Sequence, residues 1–239
     1  EQAKAMGAVI IPDIIKSVQL TESLQKVELS YGDAIEAKVL IVATGRDSKL
    51  LGVLGEEDYR GRGVSYCAIC DGPFFKDKHI AVIGGGNSAL EEALFLTKMA
   101  KSVTIIHRRQ GFRADRVVQD HVLRHPKIKI ILDHTVVSVS GVSVMQTLII
   151  EDVKTKKQQT LSMSAMFVYI GHTPNTAFLD DQLILDGTGY IMTDDVMKTS
   201  RKGVFAAGDV RQKSLYQIVT ATSDGAIAAI QADAYLSGT

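Results

Sequence analysis

Three clusters in this chain of 239 residues could do chemistry. The first is Cys67-Ala68-Ile69-Cys70-Asp71-Gly72, which holds both cysteines. Cysteines at C-x-x-C spacing can close a small redox-active disulfide on a turn or helix start, where the helix N-terminus lowers a thiol pKa. Asp71, next to the second sulfur, could deliver a proton to a leaving thiolate. Half of a zinc site has the same spacing, but zinc needs two more Cys or His ligands. There is no third cysteine, and the histidines are scattered at 79, 107, 121, 125, 134 and 172. Redox chemistry is therefore expected and no metal is; an inert buried pair is the bland alternative.

The second cluster is Gly84-Gly85-Gly86-Asn87-Ser88-Ala89, a G-x-G-x-x-A pattern. Its first glycine permits a tight turn, its second lets backbone approach a pyrophosphate, and its small third residue allows close helix–strand packing. A merely structural turn is the alternative. The third cluster is His107-Arg108-Arg109 with Arg113 close behind. It stands about 20 residues after the glycines, where an NAD-binding unit carries an acid for the ribose hydroxyls. Guanidinium groups there would bind a 2′-phosphate through charge-assisted bonds, so NADPH is expected over NADH. A solvated basic face is the competing reading.

These clusters need elements to position them. Residues 79–83 form an apolar run, the pattern of a strand buried on both faces. Residues 88–99 turn helical, with Ala89, Ala93 and Leu96 recurring along one face. Residues 103–106 close a βαβ unit, and 129–132 read as a third parallel strand. Residues 136–139, 144–150 and 160–163 read as a small antiparallel meander, and 166–170 as another buried strand. Towards the ends, 18–29 alternates like a hairpin, 38–42 reads as a buried strand, and 204–207 as a strand ending in Gly208-Asp209. A long helix rich in small residues is expected over 217–236.

Composition bounds the partners. The chain is 46% hydrophobic and 23% charged, as soluble globular proteins are. Its 27 basic residues balance 27 acidic ones, which gives no reason to expect nucleic acid or an acidic membrane surface. No apolar run reaches the roughly 18 to 20 residues of a spanning helix, and the opening Glu-Gln-Ala-Lys is no signal peptide. A cytoplasmic protein is expected.

Taken together, these motifs resemble the bacterial-type, low-molecular-weight thioredoxin reductase family. Besides the three clusters, the resemblance rests on Ala43-Thr44-Gly45, Gly-Arg-Gly-Val-Ser at 61–65 and Phe-Arg-Ala at 112–114. It continues through Ile-Gly-His-x-Pro-Asn-Thr at 170–176 and Val-Phe-Ala-Ala-Gly-Asp-Val at 204–210. The resemblance implies hydride transfer from NADPH to FAD, then electron transfer to the disulfide and on to thioredoxin or a thioredoxin-like protein. It implies Cys70 as the flavin-side cysteine, Cys67 as the one that attacks substrate, and Asp71 as the general acid. It also implies that Gly208 and Asp209 contact flavin, and that the enzyme is a homodimer.

The implied fold is α/β, with two Rossmann-like three-layer domains. An NADPH-binding domain over 48–170, carrying the disulfide, is inserted in an FAD domain made of 1–47 and 171–239. The family's N-terminal glycine motif for FAD has no counterpart here, so the flavin domain is expected to be incomplete. A polypeptide limited to these residues is then expected to bind FAD weakly or not at all. Tyr216-Gln217 stands where the family usually has Arg-Gln beside the flavin ring. That is either a tolerated substitution or a changed flavin environment or electron partner. The rival functions are a nicotinamide-binding module without turnover and the flavoprotein of an alkyl hydroperoxide reductase system, whose usual link to NADH fits the arginines poorly.

Overall fold

The apolar run at the centre of the sequence forms the strand His79–Gly84, and the glycines end it where the helix Asn87–Leu96 begins. The computed structural model describes residues 1–238. The chain divides into two units, Ser48–Gly171 and Glu1–Asp47 with His172–Thr239.

In Ser48–Gly171 five parallel strands lie in the order Val64–Ser65, Ala165–Tyr169, His79–Gly84, Ser102–Ile106 and Ile128–Ile131. Successive side chains of a strand point to opposite faces, so a run with no polar interruption serves two cores at once. Ile80 and Val82 join Val103, Ile105 and Phe167 beneath Leu90, Ala93 and Leu96 of the helix. Ala81 and Ile83 face the other way with Met166 and Val168, onto Val136, Val139, Leu148 and Ile150. The latter four belong to an antiparallel meander, His134–Gly141, Met145–Asp152 and Gln158–Ser162. The unit is thus helix layer, parallel sheet and meander, in agreement with the expected three layers. Each fully buried Leu or Ile in these cores contributes about 1.5–3 kcal/mol.

Two helices differ from expectation. The first ends at Leu96, with Thr97 as its C-cap, before the expected Met99. Lys127 Nζ donates to Thr97 O at 2.9 Å and Ala100 O at 3.1 Å, so a cation satisfies carbonyls that the helix leaves open. The helix Arg116–Arg124 has no sequence expectation behind it. Val118 and Val122 repeat at i, i+4 on its packed face, a stripe the sequence reading passed over.

The other unit holds the antiparallel sheet Ile15–Leu20, Gln25–Leu29 and Ile35–Ala37. Its first two strands are the expected hairpin. The third is short and largely exposed, so it carries no alternation to recognise. Leu40–Val42 pairs in parallel with Val204–Ala206. The expected buried strand over 38–42 is thereby corrected: three residues are extended and only Val42 is buried, since the strand has one ladder partner. The helix Ile218–Ser237 packs its small Ala228 and Ala232 against Phe205, Ala207 and Met197.

A charge cluster fastens this helix. Asp224 is buried and takes the Gly208 N–H at 3.1 Å, Lys213 Nζ at 3.0 Å and Arg211 NH1 at 3.3 Å. The Lys213 and Arg211 side chains are nearly buried as well. Removing one member of such a set strands the others in low dielectric, at a cost of about 3–5 kcal/mol. Asp224→Ala is expected to lower unfolding free energy by that amount in urea titration. A loss within ~0.5 kcal/mol of zero would mean that solvent already screens the cluster.

Candidate active site

Cys67 and Cys70 are joined by a disulfide, with Cα atoms 5.3 Å apart. Cys67 is the N-cap of the turn Ala68–Asp71, and its Sγ accepts the Cys70 N–H at 3.2 Å. The pair therefore sits at a helix start, as the spacing predicts. The residues before it are tied down individually. The Ser65 hydroxyl lies 2.7 Å from Asp71 Oδ2 and accepts the Cys67 N–H at 3.1 Å. The Tyr66 hydroxyl donates to Glu56 Oε1 at 2.8 Å. Glu56 is 2% exposed and also takes the N–H groups of Leu51 and Gly52. Ala68 N–H donates to the Tyr169 hydroxyl at 2.6 Å. Burial raises both phenols above the ordinary tyrosine range, Tyr66 also through its bond to Glu56, so both stay protonated.

Taken as whole residues, Cys70 is exposed and Cys67 is half-buried.

The glycine turn and the arginines meet at a cavity of about 640 Å³ in the same unit. Gly84, Gly85, His107, Arg108 and Arg113 line it, and Lys49 and His134 add two more basic side chains. No carboxylate lines it. Gly84 has φ +150°, and a Cβ there would overlap the Tyr169 carbonyl and lie 2.7 Å from the Ala89 Cβ. Ala89 is thus the small residue that lets helix meet strand. A Cβ on Gly85 would overlap the His107 ring. Gly86 is the N-cap and meets nothing within 4 Å on its Cβ side, which leaves room for a ligand at the helix start.

The cluster is not used evenly. Arg109 does not line the cavity, nor do Gly86, Asn87, Ser88 and Ala89. Ser88 is exposed, and Asn87 exchanges two hydrogen bonds with Asp115, pinning the helix start to the Arg116–Arg124 helix. His107 is 6% exposed and its Nε2 has no partner. Burial, then the guanidinium charges of Arg109, Arg113 and Arg108, hold its pKa below the usual histidine value, so the ring is neutral near pH 7. An orphaned imidazole nitrogen in a cavity whose charged lining residues are all basic, behind a glycine turn, fits a dinucleotide with an added phosphate.

In the other unit, Ala43-Thr44-Gly45 follows the strand Leu40–Val42. Thr44 Oγ1 donates to Asn175 O at 2.7 Å, Asn175 Nδ2 donates to Thr44 O at 3.1 Å, and Asn175 N–H donates to Gly45 O at 3.0 Å. Two of the resemblance motifs are therefore one interlocked turn. Gly208 and Asp209 open a short 3-10 turn after Val204–Ala206. Asp209 Oδ1 is buried without a hydrogen bond, although Lys213 Nζ stands 3.7 Å away. Such an acceptor fits a ligand that brings hydroxyl donors, as the sugar-alcohol chain of a flavin does. Tyr216 lies under the Arg46 guanidinium at 3.7 Å and beside Tyr190 at 5.5 Å. Arg46 so brings a cation to the Tyr216 ring from elsewhere in the chain. Gln217 is the N-cap of Ile218–Ser237 and forms a capping box with Thr220.

Sequence reasoning missed Lys49, His134, Glu56 and Tyr169, and gave Ser65 no role although it ends the motif at 61–65. Each lies outside the three clusters and comes to its place through the fold, so spacing could not single them out. Among the described residues no three of His, Cys, Asp and Glu are grouped to hold a metal ion. No described helix is long and apolar enough to cross a membrane.

Residues 9–225 match the model of the pyridine nucleotide-disulphide oxidoreductase family. The chain belongs to that family. Within the pyridine nucleotide-disulphide oxidoreductases it is similar to the thioredoxin reductase of Rickettsia typhi, 43% identical over 99% of this chain and 77% of that protein. The thioredoxin reductase of Treponema pallidum is also 43% identical, over 99% of this chain and 76% of its own length. The crystal structure of thioredoxin reductase from Streptococcus pyogenes superposes with a TM-score of 0.95 at 41% identity, covering 100% of this chain and 78% of that one. These likenesses place the chain with thioredoxin reductases inside the family and support the two Rossmann-like domains expected of it.

Proposed function

We propose that this chain is an NADPH-dependent, FAD-linked enzyme that reduces a protein disulfide, that of thioredoxin or a thioredoxin-like protein, through Cys67 and Cys70. The observation that carries the reading is the redox disulfide folded into one unit with a cavity lined by five basic side chains and no acid. Ser48–Gly171 is the NADPH-binding domain in this proposal, and the other unit contributes to FAD binding. A homodimer in the cytoplasm is part of the proposal, carried by the resemblance.

Arg108 and Arg113 would hold the 2′-phosphate, and the turn Gly84–Ala89 the pyrophosphate. His107 Nε2 would meet a ligand hydroxyl. Ala43, Thr44, Gly45, Gly208, Asp209, Tyr216 and Gln217 are the flavin-side candidates. When bound, NADPH supplies reducing equivalents and FAD carries them to the disulfide. The chain's own residues perform the exchange with substrate. One cysteine thiolate attacks a substrate sulfur and forms a mixed disulfide, and the released substrate thiolate takes a proton from Asp71. The second cysteine then attacks the first, which re-forms Cys67–Cys70 and frees the second substrate thiol. Two cysteine thiols are oxidised to one disulfide, and one substrate disulfide is reduced to two thiols.

In this proposal Cys67 is the attacking sulfur and Cys70 the flavin-side, resolving one, the roles that the resemblance implies. The test is NADPH oxidation by a flavin-complete enzyme that contains this chain, with oxidised thioredoxin as acceptor. Turnover that needs both NADPH and thioredoxin is expected. NADPH binding without turnover on any disulfide would leave only a nucleotide-binding module.

A further inference from the structure

We propose that Ser65 is a positioning residue for the exchange, holding Asp71 in one orientation beside the cysteine turn. Ser65 is 4% exposed and ends the short edge strand Val64–Ser65. Its single hydroxyl proton has two acceptors within reach, Asp71 Oδ2 at 2.7 Å and Cys67 O at 3.3 Å. A carboxylate at the shorter distance takes it. The lone pairs of the same oxygen accept the Cys67 N–H at 3.1 Å. One side chain thus clamps the backbone of one cysteine and one oxygen of the acid beside the other.

The consequence lies in which Asp71 oxygen stays free. Oδ2 is committed to Ser65. Oδ1 has no protein donor among the described residues and is not a buried orphan, so solvent and incoming groups reach it. Asp71 therefore carries and gives its proton at Oδ1, in an orientation that Ser65 sets. Neighbouring anchors keep Ser65 itself from drifting, since Tyr66 is held by Glu56 and Ala68 by Tyr169.

This inference rests on the dithiol exchange proposed above, and its test is independent of thioredoxin, NADPH and flavin. The full chain is reduced, freed of reductant and mixed with two small disulfides. Hydroxyethyl disulfide releases a basic alkyl thiolate that gains from a proton donor. Dithionitrobenzoate releases an acidic aromatic thiolate that does not need one. Ser65→Ala is expected to slow the first reaction about tenfold and the second less than twofold. In an Asp71→Asn background, Ser65→Ala is expected to add nothing, because the residue acts through Asp71. Ser65→Thr, which keeps the hydroxyl, is expected to retain the rate.

Equal slowing with both disulfides would make Ser65 merely structural and overturn the proposal. So would a tenfold effect that persists beside Asp71→Asn. If Ser65→Ala does not fold, the isosteric pair Ser65→Thr and Ser65→Val decides. Only Val should lose rate with the alkyl disulfide, and identical behaviour of the two overturns the proposal. Failure to reduce thioredoxin, with the contrast between small disulfides intact, would count against the substrate and leave the role of Ser65 standing.

Discussion

A reduced Cys70→Ser protein mixed with excess oxidised thioredoxin should accumulate a covalent complex through Cys67, while Cys67→Ser should trap little. The attacking sulfur must be reached by a bulky protein disulfide, and the resolving sulfur needs only to reach its partner. The resemblance makes Cys67 the attacking cysteine and Cys70 the flavin-side one. Cys67 caps the turn Ala68–Asp71, and its sulfur faces the Cys70 N–H. Without Cys70 nothing resolves the mixed disulfide intramolecularly, so the complex persists. Asp71→Asn should leave the disulfide able to form but slow the exchange with thioredoxin by about 10²-fold, the usual loss when a general acid is removed. Rapid acid quench and mass spectrometry read the trapped complex, and the rate of thiol loss reads the Asp71 effect. Trapping by Cys67→Ser instead would reverse the two roles. An Asp71→Asn exchange rate within threefold of the parent would remove Asp71 from the dithiol chemistry.

Buried periodicity made the centre of this fold legible. His79–Gly84 shows an unbroken apolar run because both faces are covered, and Asn87–Leu96 shows its stripe because one face is. The weak elements share the opposite property. Ile35–Ala37 buries too little to imprint a pattern, and Leu40–Val42 has one ladder partner and an exposed centre. The chemistry divides the same way. Cys67, Cys70 and Asp71, or Gly84 and Ala89, work through local geometry that adjacent positions encode. Ser65 meets Asp71 across a turn, Ala68 meets Tyr169 from the far end of another strand, and Lys49 enters the nucleotide cavity from the first residues of its unit. Such pairings follow from topology, and no local spacing announces them. Arg109 is the converse case, with the right type and spacing, but outside the cavity lining.

That difference among three arginines gives the second large effect. Arg108→Ala combined with Arg113→Ala should weaken NADPH binding by about 10²-fold or more and NADH binding only slightly. Each guanidinium would make charge-assisted bonds to the 2′-phosphate, and such bonds contribute about 1.5–3 kcal/mol, or tenfold and upward per residue. NADH has no phosphate there, so it loses only the general attraction of the cavity, which Lys49 still supplies. The lining explains the sign of the preference too: with no carboxylate among its residues, nothing repels the phosphate and nothing takes both ribose hydroxyls of NADH. Arg109→Ala is the internal control, expected to change NADPH affinity less than either of the other two. Titration calorimetry of both nucleotides against the parent, the double variant and the three single variants measures this with no electron transfer involved, and raising the salt should narrow the gap between NADPH and NADH as the phosphate is screened. Equal losses for the two nucleotides would show that the arginines do not read the phosphate. A loss carried by Arg109 alone would place the phosphate outside the cavity described.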